Sequence, residues 1–145
     1  MAETNIVQAV KAARAEAVRE MRAARDRARA RVKAIESNFL ARSLLAGEGI
    51  DLRLSPWGSC AACAELDLEE GRDLVRVRRA LGVKLKATGR KELVERSRNR
   101  VWIFVEAEGF PGLVIKYKAR LREAGRCKVV KRKRSYSERA LVCER

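Results

Sequence analysis

Arg100-Val101-Trp102-Ile103-Phe104-Val105-Glu106-Ala107-Glu108 is followed, after Gly109-Phe110-Pro111-Gly112, by Leu113-Val114-Ile115-Lys116-Tyr117-Lys118-Ala119-Arg120-Leu121-Arg122, and the fold turns on this stretch. Strand formers dominate both halves, and apolar and polar positions alternate with the period of a strand buried on one face. The Gly/Pro-rich tetrapeptide reads as a turn, with Pro111-Gly112 suited to type II, so the halves form an antiparallel hairpin. Placing Val105 opposite Tyr117 gathers Val101, Ile103, Val105, Ala107, Ile115, Tyr117, Ala119 and Leu121 on one apolar face. The other face then carries Trp102, Phe104, Glu106 and Glu108 beside Lys116, Lys118, Arg120 and Arg122. A slip by one residue would bury lysine beside valine.

Working outward, Val83-Lys84-Leu85-Lys86-Ala87 also alternates, and Cys127 to about Arg134 supplies a further strand after a turn at Gly125. Residues 138–145 suit a last strand or a short helix. Upstream, residues 47–59 read as a loop with a short strand at Ile50–Leu54. Ser59 can cap a second helix from Cys60 to Leu81, broken near Gly71. The expected fold is α+β: a long N-terminal helix over residues 1–46, an acidic connector and second helix over 47–82, and a basic antiparallel sheet of three to five strands over 83–145, with 47–145 as one globular domain.

The N-terminal segment has no Pro or Gly from residue 3 to 46 and is rich in Ala, Arg and Glu, all strong helix formers. Thr4 or Asn5 can cap its start and Gly47 can end it. Apolar residues recur every eleven positions: Val10, Met21 and Val32; Ala13, Ala24 and Ile35; Ile6, Ala17, Ala28 and Phe39. That period nearly matches an undistorted helix, so the stripe stays almost straight. A helix of this length, on the order of 60 Å, exceeds what the rest of the chain can cover. It must project, break or meet a partner. Ile6, Val10 and Met21 are therefore candidate partner-binding residues, including for a homodimer. Lys11, Arg22, Arg25, Arg29 and Lys33 lie beside the stripe within about a quarter of the helical circumference. They form either a solvated face eased by Glu16, Glu20 and Asp26, or a face that tracks phosphates.

Charge separates the chain into unlike parts. Residues 76–145 hold 22 Lys or Arg against 7 Asp or Glu, and the whole chain is +15. Such a surface favours a polyanion, because phosphate neutralisation releases counterions. Cations alternating with Trp102 and Phe104 on an open sheet suit single-stranded nucleic acid, with rings for bases and charge for phosphates. The competing reading makes both rings core, under a helix. Over this one strand, the Arg100-x-Trp102-x-Phe104-Val105 spacing is similar to the third strand of RNA-recognition-motif domains. It lacks that motif's glycines, and no family is carried over from it. Lys84 and Lys86 extend the same face if their strand joins the sheet, and Lys128, Lys131, Arg132, Lys133 and Arg134 form the densest cationic run, read as a phosphate clamp ahead of an edge strand protected by charge against pairing. Asp67, Glu69, Glu70 and Asp73 make an acidic patch that solvates the second helix or pairs with the basic half, with a partner-binding role behind these.

Several chemistries find no support. With no histidine, the commonest general base and metal ligand are missing, and no glycine loop has phosphate-cradling spacing. No catalytic residue, metal or cofactor is expected. Cys60 and Cys63 form a CxxC, but Cys127 and Cys143 are not a second close pair. Reduced structural thiols are the leading expectation, with disulfide, zinc and redox readings behind it. No apolar run is long enough to span a bilayer, and the N-terminus lacks a secretion signal, so a cytoplasmic location is expected. The chain reads as a non-catalytic nucleic-acid-binding protein, RNA favoured over DNA. The alternative is a small regulatory protein that binds a protein component of a nucleic-acid machine such as RNA polymerase or the ribosome.

Overall fold

A computed structural model describes the backbone of residues 2–54, 62–133 and 137–144, and the side chains of 5–54, 62–130 and 139–144. The chain divides into two compact units, residues 1–33 and 34–145. Helix α1, Ala2–Gly47, runs through both. It is already helical at Thr4 and Asn5, so neither residue caps it. Its end also differs from expectation. The Ile50 N–H bonds the Leu45 carbonyl (2.9 Å), and the Gly49 N–H bonds that of Ala46 (3.0 Å). With Gly49 at φ 74°, these bonds make a Schellman motif, and the left-handed residue is Gly49, not Gly47.

Every described side chain from 5 to 33 is exposed, Ile6 by 64% and Met21 by 71%. In the second unit α1 buries a different row: Ala34, Asn38, Ala41 and Leu45, spaced four, three and four apart. Phe39, assigned by the eleven-residue rhythm to the apolar stripe, is 56% exposed.

The second unit is an α+β fold. A four-stranded sheet has the order β1-β4-β3-β2, where β1 is Ala64–Leu68, β2 Leu85–Leu93, β3 Arg100–Ala107 and β4 Leu113–Arg120. Helix α2 is Asp73–Leu81, a 3₁₀ turn covers Leu121–Ala124, and β5 (Cys127–Lys133) pairs antiparallel with β6 (Ser137–Cys143) as a separate two-stranded sheet. The main sheet is mixed, because β1 runs parallel to β4. The segment read as a second helix is therefore a strand in its first half, and only the part beyond Gly71 is helical. Ala64-Glu65-Leu66-Asp67-Leu68 buries its three apolar residues and exposes its two acids, a period-two pattern that five residues can satisfy only in a strand.

The β3–β4 hairpin keeps the expected faces but shifts by two residues: Ile103 faces Tyr117, and Val105 faces Ile115. Two consecutive turns absorb the difference, Phe110 N–H to Ala107 carbonyl and Leu113 N–H to Phe110 carbonyl, both 3.2 Å. The positive φ sits at Gly109 (82°), not Gly112, so Pro111-Gly112 is not a type II turn. Two residues is the pleat period, so no side chain changes face.

One sheet face holds the core. Ala41, Leu45, Leu52, Val77 and Leu81 cover Leu66, Leu68, Val105, Leu113 and Ile115 at one end. Leu141 and Cys127 of the β5–β6 sheet pack with Val101, Ile103 and Ala119 at the other. Cys127 and Cys143 are register partners joined by a disulfide, which corrects the expectation of reduced thiols and excludes a four-cysteine zinc site in this state. Cys63 is exposed, and Cys60, Trp57 and Ser59 lie outside the described residues. No group of metal-ligating side chains occurs among the described residues, and no helix among them is long and apolar enough to cross a membrane.

Gly112 has no room for a side chain: an added Cβ would stand 2.2 Å from the Ala62 carbonyl oxygen and 2.8 Å from Asn38 Nδ2. We expect Gly112→Ala to destabilise the second unit by about 1–3 kcal/mol, the usual range for overpacking, in urea melts. Gly47→Ala, where nothing lies within 4 Å, should not.

Candidate functional site

The open face of the sheet is built by parity. On β3 it shows Arg100, Trp102, Phe104 and Glu106; on β4, Val114, Lys116, Lys118 and Arg120; on β2, Lys86 and Glu92. Of these, the sequence places Trp102, Phe104, Glu106, Lys116, Lys118 and Arg120 together, with Lys86 extending the face. It does not anticipate that β1 lies alongside β4 and presents Glu65 and Asp67 to the same face, with Glu69 just beyond its end.

That neighbour changes the electrostatics. Lys116 Nζ is 2.7 Å from Glu65 and 3.6 Å from Asp67, and Lys118 Nζ is 3.0 Å from Glu69. Both lysines are mostly covered, their side chains 15% and 20% exposed. They also sit over Trp102, their ammonium nitrogens 4.6 and 5.1 Å from its centroid, a cation–π arrangement. Phe104 is 4% exposed beneath the Arg90 guanidinium, 4.1 Å from the ring centroid. The ring is buried, as the competing reading expected, and a guanidinium lies over it. A base could reach Phe104 only by displacing Arg90, and Trp102 only by displacing a lysine held by carboxylates.

The acid–base balance follows from this packing. Burial holds the Asp67 carboxyl above the usual carboxylate range; Glu65 pushes the same way and Lys116 pulls against both. Burial acts to lower the Lys116 value, but its hydrogen bond to Glu65 and the charges of Asp67 and Glu65 outweigh it, so the ammonium is held above the ordinary lysine range.

The remaining cations fall elsewhere. Lys84 and Lys86 are exposed near the start of β2, and Lys128 is exposed on β5 opposite Val142. The side chains of Lys131, Arg132, Lys133 and Arg134 lie outside the described ones. In the first unit, Lys11, Arg22, Arg25, Arg29 and Lys33 are exposed and form no ion pair with Glu16, Glu20 or Asp26. In the second unit, Arg96, Arg98, Arg100, Arg120 and Arg122 are exposed around one end of the sheet. Of these, only Arg120 and Arg122 are singled out by alternation; Arg96 and Arg98 sit in the loop between β2 and β3, where no period marks them. Comparison with protein families, curated proteins and solved structures finds no match to this chain.

Because its folded value is raised, Lys116 contributes stability that is fully present below the unfolded lysine value, about 10.4, and is lost as pH rises through the folded value. Asp67, whose value is also raised, acts in the same sense over a lower range: its ionisation costs stability as pH rises through the carboxylate range. We expect urea midpoints of the wild type to fall above about pH 10 more steeply than those of Lys116→Met. Parallel curves would show that the Lys116–Glu65 pair contributes nothing to folding.

Proposed function

We propose that this chain is a non-catalytic nucleic-acid-binding protein, with RNA favoured over DNA, acting in the cytoplasm. The observation that carries the reading is the location of the cations that no carboxylate neutralises. The Trp102 face, the strongest site by sequence, has its lysines engaged by Glu65, Asp67 and Glu69. Among the described cations without a carboxylate partner, two groups stand out: Lys11, Arg22, Arg25, Arg29 and Lys33 along α1 in the first unit, and Arg96, Arg98, Arg100, Arg120 and Arg122 at one end of the sheet in the second. Carboxylate-free cations favour phosphates, since a phosphate contact then displaces only counterions and no internal salt bridge.

A second reading is a regulatory protein that binds a protein component of a nucleic-acid machine. The exposure of Ile6, Val10 and Met21 beside Arg22, Arg25 and Arg29 supports it, since apolar anchors ringed by cations suit an acidic partner. Residues 5–33 carry nine Lys or Arg against three Asp or Glu, so two copies of this helix would repel, which weighs against the homodimer. The disulfide weighs against a reducing compartment. The seven-pair register of β5 and β6 gives that sheet a hydrogen-bonded basis independent of it.

Changing Arg22, Arg25 and Arg29 together to Gln should preserve helicity, Gln being a good helix former. It should weaken binding to a labelled single-stranded RNA and flatten the log–log salt slope by about 2, roughly 0.7 per phosphate contact. An unchanged slope would remove α1 from the nucleic-acid interface. Capture of one protein from lysate, insensitive to nuclease and to salt, would favour the second reading.

A further inference from the structure

On the sheet's open face the carboxylate partners stop partway along β4. Glu65 and Asp67 meet Lys116, and Glu69 meets Lys118. The following residues are Glu70, which pairs with Arg72, and Gly71, which lies against the Tyr117 ring. β1 and the residues that follow it supply no carboxylate to the next outward residue of β4, Arg120. Its direct partner across the ladder is Arg100. Two like charges opposite one another destabilise a sheet unless something of the other sign lies between them. Neither guanidinium forms an ion pair among the described residues. The nearest acid in sequence, Glu123, instead accepts the Arg120 backbone N–H through Oε2 at 3.0 Å.

The surroundings are fixed. The β2–β3 loop is closed by the Val94 N–H to the Arg100 carbonyl (3.1 Å) and by the Ser97 N–H to the Val94 carbonyl (3.1 Å). The Ser97 hydroxyl oxygen accepts the Arg100 N–H at 3.2 Å. Arg96, at φ 62°, and Arg98 ride on this closed loop. Beside it, Asn99, Arg120, Leu121, Arg122, Gly125 and Cys127 line an open cleft of about 560 Å³.

We infer that this end of the sheet is a phosphate site, in which Arg100 and Arg120 bracket one backbone phosphate of a nucleic acid and Arg96, Arg98 and Arg122 surround it. The inference rests on the nucleic-acid reading above and gives it a location. Guanidinium forks match phosphate oxygens in pairs, and register partners on antiparallel strands lie about 5 Å apart at Cα, close enough for two forks to share one anion. The phosphate would supply the charge that this cross-strand pair lacks.

The test is fluorescence anisotropy on the full chain with labelled single-stranded RNA, single-stranded DNA and duplex DNA, comparing wild type with Arg100→Gln/Arg120→Gln. The variant should bind at least about tenfold more weakly, with the single-strand salt slope reduced by about 0.7, while its circular dichroism melt in chloride buffer is no lower than wild type. Arg100→Lys/Arg120→Lys, which keeps charge but loses the fork, should recover the salt slope and only part of the affinity. In addition, sodium pyrophosphate should raise the wild-type melting temperature more than sodium chloride of equal ionic strength, and the Gln variant should lose that excess. If the Gln variant binds as tightly as wild type while the α1 triple variant does not, this inference falls and the nucleic-acid reading stands. If wild type binds none of the three probes, both fall. A polyglutamate of matched charge competing as well as RNA would overturn the phosphate assignment in favour of an acidic protein.

Discussion

The parallel pairing of β1 with β4 is the contact on which the rest of the second unit depends. It completes the inner face, seating Leu66 and Leu68 among Val77, Leu81 and Ile115. By the same alternation it sets Glu65 and Asp67 against Lys116. One strand therefore buries its apolar residues on one side and neutralises the neighbouring strand on the other. An ion pair this exposed on its acidic side contributes modestly to stability. Its larger effect is on which cations of the sheet keep a carboxylate partner and which do not.

That effect is to move positive potential along the sheet. The lysines nearest the aromatic rings are tied down, and the arginines beyond the end of β1 are not. A ring under a carboxylate-held ammonium is a cation–π platform already in use, and offers little to an incoming base. The arginine-rich end offers charge without an aromatic ring among the described residues of the β2–β3 loop and the Leu121–Ala124 turn, and under the proposed function that suits backbone contact more than base readout.

How much of this was legible in the sequence depends on the range of the interaction involved. The faces of β3 and β4 follow from a two-residue period and survive a register error of two. The length of the turn between them depends on two successive hydrogen-bonded turns, for which Gly109-Phe110-Pro111-Gly112 gives only a partial cue. The segment Ala64-Glu65-Leu66-Asp67-Leu68 combines good helix formers with strand alternation, and only its pairing partner decides between them. The neutralisation of Lys116 and Lys118 is therefore unreadable locally, because it requires knowing which strand lies beside β4. The Cys127–Cys143 bond is similar, since sixteen residues of separation become direct opposition only once β5 and β6 pair. In α1 the eleven-residue rhythm correctly marked Ile6, Val10 and Met21 as too many for the chain to cover, yet it placed Phe39 on a face the core does not use.

The register of β2 has a separate consequence for behaviour in concentrated solution. Between Ala87 and Lys91 this strand advances four residues while β3 advances two, so it bulges, and β2 is one margin of the sheet; the other, β1, is only five residues long. A bulged margin and a short, acid-bearing one are poor templates for another strand. Growth of the four-stranded sheet by backbone pairing is thereby disfavoured. Association through this sheet then falls to its side chains, whose charges salt can screen.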